Sequence, residues 1–224
     1  KRISKQIKFI VFHYTGMKKE SDAVNRLTNI QSEVSSHYLI KNNGKVINLV
    51  PDLYIAWHAG KSSWKSFKSL NHNSIGIEIT NPGHEFGYKK FSKKQIFSLL
   101  KLSKYLIKKY KIKSNNILGH SDIAPQRKKD PGEKFPWEYL SKNKIGLWHT
   151  LKNQELIKNR KFKINKVEES FFFTNLFKIG YSKKIPKGSN KDSHLRDVTK
   201  AFQRRFRQEL INGKIDRECL LISK

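Results

Sequence analysis

The stretch from Phe91 to Tyr110 constrains the fold more than any other part of this chain, because it reads as one long one-sided helix. Ser92 followed by Gln95 forms a capping box, and Ile96, Leu99, Leu100, Leu106, Ile107 and Tyr110 fall on a single apolar stripe. Lys108, Lys109 and Lys111 sit where the helix dipole is negative. Such a helix must bury its stripe against a second layer, and the sequence supplies strands for it. Gln6 to Phe12 reads as a buried strand ending at His13. Ser36 to Ile40 and Val46 to Val50 flank Asn42-Asn43-Gly44, a hairpin signal. In Ile75-Gly76-Ile77-Glu78-Ile79 the isoleucines alternate, so Gly76 and Glu78 share the other face. Ile117 and Leu118 make a further short strand, followed by a loop from Gly119 to Phe135. Strands with helices between them predict an α/β fold with a central mixed sheet flanked by helices.

The character of the chain changes after about Thr150. Residues 151–166 are polar and charged, as in a linker or an exposed helix. Beyond them, Val167 to Phe177 and Leu195 to Phe206 read as helices, and Gly213-Lys214-Ile215-Asp216 turns into a short terminal one. This expected three-helix unit, residues 167–224, is small for independent stability and should pack on the domain formed by residues 1–150.

Charge is the strongest compositional fact: the 224 residues carry a formal +29. That favours polyanionic surroundings such as an anionic wall, anionic lipid or nucleic acid, but solvated lysines alone would give the same total. Nucleic-acid binding would interleave aromatics with the basic residues on an open face. Phe202 and Phe206 instead have helical spacing that buries them, so no nucleic-acid partner is expected. The single cysteine, Cys219, excludes an internal disulfide and a cysteine zinc cluster. No GxSxG, HExxH or GxGxxG motif occurs, and Gly60-Lys61-Ser62 lacks the leading glycine of a phosphate-binding loop.

Histidines and acids are better placed for chemistry. His13 ends a buried strand, where sites in α/β sheets open, and His120 follows another. Asp130 stands ten residues after His120 in a proline-bearing loop. Two imidazoles and a carboxylate can hold a tetrahedral Zn²⁺ with one position left for water. Spacing alone leaves each histidine equally readable as a hydrogen-bonded structural residue.

Six short segments occur in one order: Phe12-His13-Tyr14-Thr15, Ser36-His37-Tyr38-Leu39-Ile40, Trp57-His58-Ala59-Gly60, Ser74 to Ile79, Gly119-His120-Ser121-Asp122-Ile123-Ala124-Pro125 and Lys128-Lys129-Asp130-Pro131-Gly132. Together they resemble the type 2 N-acetylmuramoyl-L-alanine amidases, which share their fold with peptidoglycan recognition proteins. The resemblance covers about residues 5–150. It implies Zn²⁺ as cofactor, His13, His120 and Asp130 as its ligands, Glu78 as the catalytic acid or base and Lys128 as the catalytic lysine. It also implies that His37, His58, Ala59 and Trp64 border the substrate groove. Ala201-Phe202-Gln203 with Gly213-Lys214-Ile215-Asp216 resembles the signature of three-helix peptidoglycan-binding domains. These resemblances imply a monomeric hydrolase acting on peptidoglycan or muropeptides, in the periplasm or peripherally on the cell envelope. A cytoplasmic place, or a non-catalytic peptidoglycan-binding protein of the same fold, is the alternative.

Overall fold

The computed structural model of the chain describes residues 1–184, 186, 188 and 190–224. The three positions outside it fall in the basic stretch before the last long helix. Seven strands occur among the described residues: β1 (Phe9–Tyr14), β2 (Tyr38–Ile40), β3 (Val46–Asn48), β4 (Ser63–Trp64), β5 (Phe67–Lys68), β6 (Ser74–Ile79) and β7 (Ile117–Gly119). The α-helices are α1 (Glu20–Thr28), α2 (Lys93–Tyr110), α3 (His120–Ile123), α4 (Trp137–Lys142), α5 (Asn153–Asn159), α6 (Lys166–Ile179), α7 (Asn190–Phe206) and α8 (Arg217–Ser223).

Five strands form one sheet in the order β3-β2-β6-β1-β7, while β4 and β5 make a separate hairpin. β2, β6, β1 and β7 run parallel and β3 antiparallel, so the sheet is mixed. His13 is paired with Glu78, and Phe12 with Gly119, the residue before His120. The ends of three adjacent strands therefore deliver His13, Glu78 and His120 to one carboxyl edge, where α/β sheets place their sites. β1 starts and ends later than its apolar run suggests. Ser4–Gln6 forms a 3₁₀ turn, and pairing of Tyr14 with Ile79 carries the strand through His13.

Period-two alternation divides the core between the two faces of the sheet. Ile10 and Phe12 of β1 and the three isoleucines of β6 pack against Leu99 and Leu106 of α2. Ser92 caps α2 as expected: its side chain accepts from the Gln95 amide, and the Gln95 side chain accepts from the Ser92 amide. On the opposite face Phe9, Val11 and Leu118 share one core with Phe172, Leu176, Val198, Phe202, Phe206 and Cys219. The C-terminal helices thus cover β1 and β7 on that side of the sheet. Each fully buried large side chain there contributes roughly 1.5–3 kcal/mol.

Gly180 ends α6 at φ 144°, and a Cβ there would lie 2.3 Å from Cε2 of Trp64. Only glycine lets the turn after α6 close onto that indole. In residues 151–166 the chain forms α5, which turns Leu156 into the core. The pieces not foreseen are short: α1 buries only Ala23 and Leu27, and β4 and β5 have two residues each. Periodicity has too few positions to register in them.

Candidate metal centre

Nδ1 of His13, Nδ1 of His120 and Oδ2 of Asp130 converge at one point. The two nitrogens are 2.9 Å apart and each is 3.0 Å from the carboxylate oxygen. All three residues are buried. Their other contacts fix which ring nitrogen carries the proton. Nε2 of His120 faces the carbonyl of Ala59 at 3.2 Å, closer than Nη2 of Arg127 at 3.4 Å, and a carbonyl can only accept, so the ring proton goes to Ala59. Nε2 of His13 is 3.0 Å from Nδ1 of His58, whose Nε2 is 3.1 Å from Oγ of Ser74; that hydroxyl donates to the carbonyl of Leu70 at 2.6 Å. With the Ser74 proton committed to Leu70, His58 must donate to Ser74 and His13 must donate to His58.

Both ligand imidazoles then present bare lone pairs at Nδ1, directed at each other and at a carboxylate. Three such acceptors 2.9–3.0 Å apart in a buried site repel one another unless a cation lies between them, so the cluster could hold one. Two neutral imidazoles and one carboxylate form the nitrogen and oxygen donor set of an open zinc site. Burial, followed by the neighbouring charge of His120, lowers the pKa of His13 to about 4, so the ring is neutral and available as a ligand near neutral pH. Burial would raise the carboxyl of Asp130, but the neighbouring His120 and His13 hold it well below the usual carboxylate range.

The segments carrying these ligands are tied to one another. The Ser121 amide donates to the carbonyl of Asp130 at 2.8 Å, fixing the loop that brings Asp130 back to His120. Glu78 lies one strand over from His13 and is 8% exposed, with Oε2 buried and without a hydrogen-bond partner. Burial raises its pKa well above 4.5, and the charge of Asp130 adds to this. Lys128 is half-buried, and its positive charge acts on both His13 and Glu78 in the opposite sense to Asp130's.

The remaining residues assigned from the sequence are all buried. His58 is buried on the far side of the His13 ring from the donor cluster. Ala59 is buried, and its carbonyl orients His120. Nδ1 of His37 accepts the Gly76 amide, and its Nε2 meets the carbonyl of Tyr54. Trp64 is 1% exposed, with its ring 4.9 Å from that of Tyr181.

Several residues of the surroundings escaped sequence reasoning. Asn71 Oδ1 accepts the amides of His58 and Ala59 and so shapes the loop that orients both His13 and His120. Arg127 donates to the carbonyls of Ala59 and Lys61. Asp122 meets Tyr181 and Arg205 from the C-terminal helices. A signal for the last existed, because Arg205 stands seven residues after Val198, on the stripe that also holds Phe202. An arginine on a buried stripe requires an acidic partner.

Comparison with known proteins identifies the family. A family model described as N-acetylmuramoyl-L-alanine amidase matches residues 3–133. The chain is 36% identical over 231 residues to the N-acetylmuramoyl-L-alanine amidase AmiD of Escherichia coli, covering 98% of this chain and 82% of that protein. It is 42% identical over 113 residues to the 1,6-anhydro-N-acetylmuramyl-L-alanine amidase AmpD of Haemophilus influenzae, covering 50% of this chain and 59% of the relative. The structure of E. coli AmiD with the substrate anhydro-N-acetylmuramic acid-L-Ala-D-γ-Glu-L-Lys superposes with a TM-score of 0.83 at 35% identity, covering 97% of this chain and 87% of that one. AmpDh3 of Pseudomonas aeruginosa in complex with anhydromuramic pentapeptide gives 0.84 at 30% identity, over 98% and 90%.

Proposed function

The chain belongs to the N-acetylmuramoyl-L-alanine amidase family, and from that premise we propose that it uses zinc at His13, His120 and Asp130 to cut the amide joining N-acetylmuramic acid, ordinary or 1,6-anhydro, to L-alanine. The observation that carries the zinc assignment is the meeting of three acceptors whose ring protons are committed elsewhere. Zinc held there supplies Lewis acidity, polarising a carbonyl and making water acidic near neutral pH.

The chain's own groups handle the proton and the charge. Oε2 of Glu78, free of any protein partner, takes a proton from the attacking water and returns it to the amide nitrogen as the carbon–nitrogen bond breaks. Its raised pKa suits the return, since a carboxylic acid of ordinary strength would hold its proton too weakly near neutrality. Lys128 meets the negative charge that develops on the carbonyl oxygen. The products are the muramic carboxylate and a peptide with a free L-alanine amine. His58 and Ala59 serve as orienting groups for the ligand histidines.

A cavity of about 640 Å³ adjoins the ligand helix. Its described lining includes Lys61, Lys65, Lys68, Arg127, Lys183 and Lys184 and no carboxylate, a basic surface that none of His13, Glu78, Lys128 or Asp130 lines. The two relatives crystallised with anhydromuramic peptides support anhydro-muropeptides as substrates. A wall substrate puts the enzyme at the cell envelope, where +29 charges favour contact with anionic surfaces. No helix among the described residues is long and apolar enough to cross a membrane.

Mass spectrometry of anhydro-muropeptides and of intact sacculi, incubated with zinc-loaded and chelated protein, tests the proposal. Free stem peptide beginning with L-alanine, released only by the zinc-loaded form, is the expected result. Stoichiometric zinc with no release from either substrate would instead favour a binding protein of the same fold.

A further inference from the structure

The helix that begins with His120 cannot hold its own shape. α3 has four residues, all buried, whereas isolated helices need roughly 12–15 residues to be even marginally stable. Its orientation comes from Asp122. That carboxylate accepts the Gly119 amide at 2.8 Å, the Tyr181 hydroxyl at 2.9 Å and Nη1 of Arg205 at 2.6 Å. Arg205 also reaches backwards, its Nη2 donating to the carbonyl of Ile117 at 3.0 Å. One guanidinium therefore grips the chain both before and after His120.

Arg205 is itself held fast. Its guanidinium carbon lies 4.1 Å from the centre of the Trp137 ring, and the arginine and Asp122 side chains are 4% and 1% exposed. Tyr181, after α6, is 1% exposed. Neither Tyr181 nor Arg205 touches a ligand atom. Displacement of Asp122 would nevertheless pass to His120, two residues away, and through the Ser121 amide to the carbonyl of Asp130.

We propose that Tyr181 and Arg205, acting through Asp122, are positioning residues for the metal centre, so that the C-terminal helices are a working part of the amidase site. The inference rests on the zinc reading of His13, His120 and Asp130.

The experiment uses the full chain with Tyr181→Phe, Arg205→Lys and Arg205→Met. Leu106→Ala, on the opposite face of the sheet, serves as a control that lowers stability alone. Zinc Kd by chelator competition, the visible absorption of the cobalt-loaded protein, kcat, KM and Tm are measured for each. Arg205→Met is expected to weaken zinc about 10- to 100-fold, the range seen when groups behind metal ligands are removed, and Tyr181→Phe, which deletes a single hydroxyl, by less, about 3- to 10-fold. The cobalt spectrum should change, and kcat should fall with KM within about twofold, because ligand orientation and not substrate contact is altered. Arg205→Lys should recover part of the loss, since an ammonium can meet Asp122 but cannot also reach Ile117.

Lowered Tm with zinc Kd, cobalt spectrum and kcat all unchanged, as expected for Leu106→Ala, would make the contact purely structural and overturn the proposal. Should Arg205→Met fail to fold, Tyr181→Phe decides, since it deletes one hydroxyl and keeps the ring. If the unaltered protein takes up neither zinc nor cobalt, the reading of the centre fails first and the positioning role falls with it.

Discussion

Gly76→Ala adds one methyl group at a strand position whose backbone accepts any residue, since Gly76 does not have a left-handed φ. On backbone grounds the change should stabilise the protein by about 0.4–1 kcal/mol, because alanine has less freedom to lose on folding. The surroundings reverse the sign. The new Cβ would lie 2.4 Å from Cγ, 2.6 Å from Cδ2 and 2.8 Å from Nδ1 of His58. Ordinary carbon contacts are roughly 3.5–4.0 Å, so the ring must retreat by about 1 Å. It has nowhere to go without cost, being held between Nε2 of His13 at 3.0 Å and Oγ of Ser74 at 3.1 Å. Overpacking of this kind costs about 1–3 kcal/mol, and a spoiled buried hydrogen bond about 1 more.

After the backbone gain is subtracted, a net loss of about 1–3.6 kcal/mol corresponds to a fall in Tm of about 2–14 °C for a chain of this size. Thermal melts of the unaltered protein, Gly76→Ala, His58→Ala and the double variant measure it. On the His58→Ala background the methyl group has room, so the loss caused by Gly76→Ala should largely vanish. Zinc affinity should fall in Gly76→Ala as well, by roughly 10-fold or more, because His58 no longer steadies His13. A Gly76→Ala protein as stable as the parent, or one that loses the same amount with His58 absent, would refute the assignment of His58 as a packed orienting group.

The other predictions concern the proton carrier, the metal and the core. Lys128→Ala should lower kcat by about 10²–10³ with little change in KM, as for other losses of oxyanion stabilisation. Burial raises the pKa of Glu78 above 4.5, so the folded metal-free protein holds that proton more tightly than the unfolded chain does. Stability from this group is thus complete below 4.5 and is lost as pH rises through the folded value. In chelator, the urea midpoint of the unaltered protein should drop relative to Glu78→Gln across that interval; parallel curves would contradict the burial of the charge. Removing zinc held at 100 times its Kd should lower stability by about 2.7 kcal/mol, or Tm by about 5–11 °C; an unshifted melt would exclude a metal bound to the folded state. Residues 1–150 expressed alone should aggregate, since Phe9, Val11 and Leu118 lose their cover; a soluble, cooperatively melting fragment would argue against the shared core.

Much of the framework is readable from local pattern. The α2 stripe and cap, the hairpin around Asn42-Asn43-Gly44 and the alternation that separates Glu78 from its isoleucines are all set by residues a few positions apart. The donors His13, His120 and Asp130 are singled out by the segments around them rather than by spacing, which spans 117 positions from first to last. What local pattern cannot carry is the set of groups behind the donors. His58 has the same neighbours in sequence whether it faces a groove or the back of His13; only the position of Gly76, eighteen residues on in β6, decides. Asp122 and Arg205 are 83 positions apart and meet because two cores close on opposite faces of one sheet.

The order in which the chain is synthesised gives Arg205 a further meaning. His13, His120 and Asp130 all leave the ribosome before it, so a polypeptide cut short ahead of α7 carries every donor but not the guanidinium that braces α3.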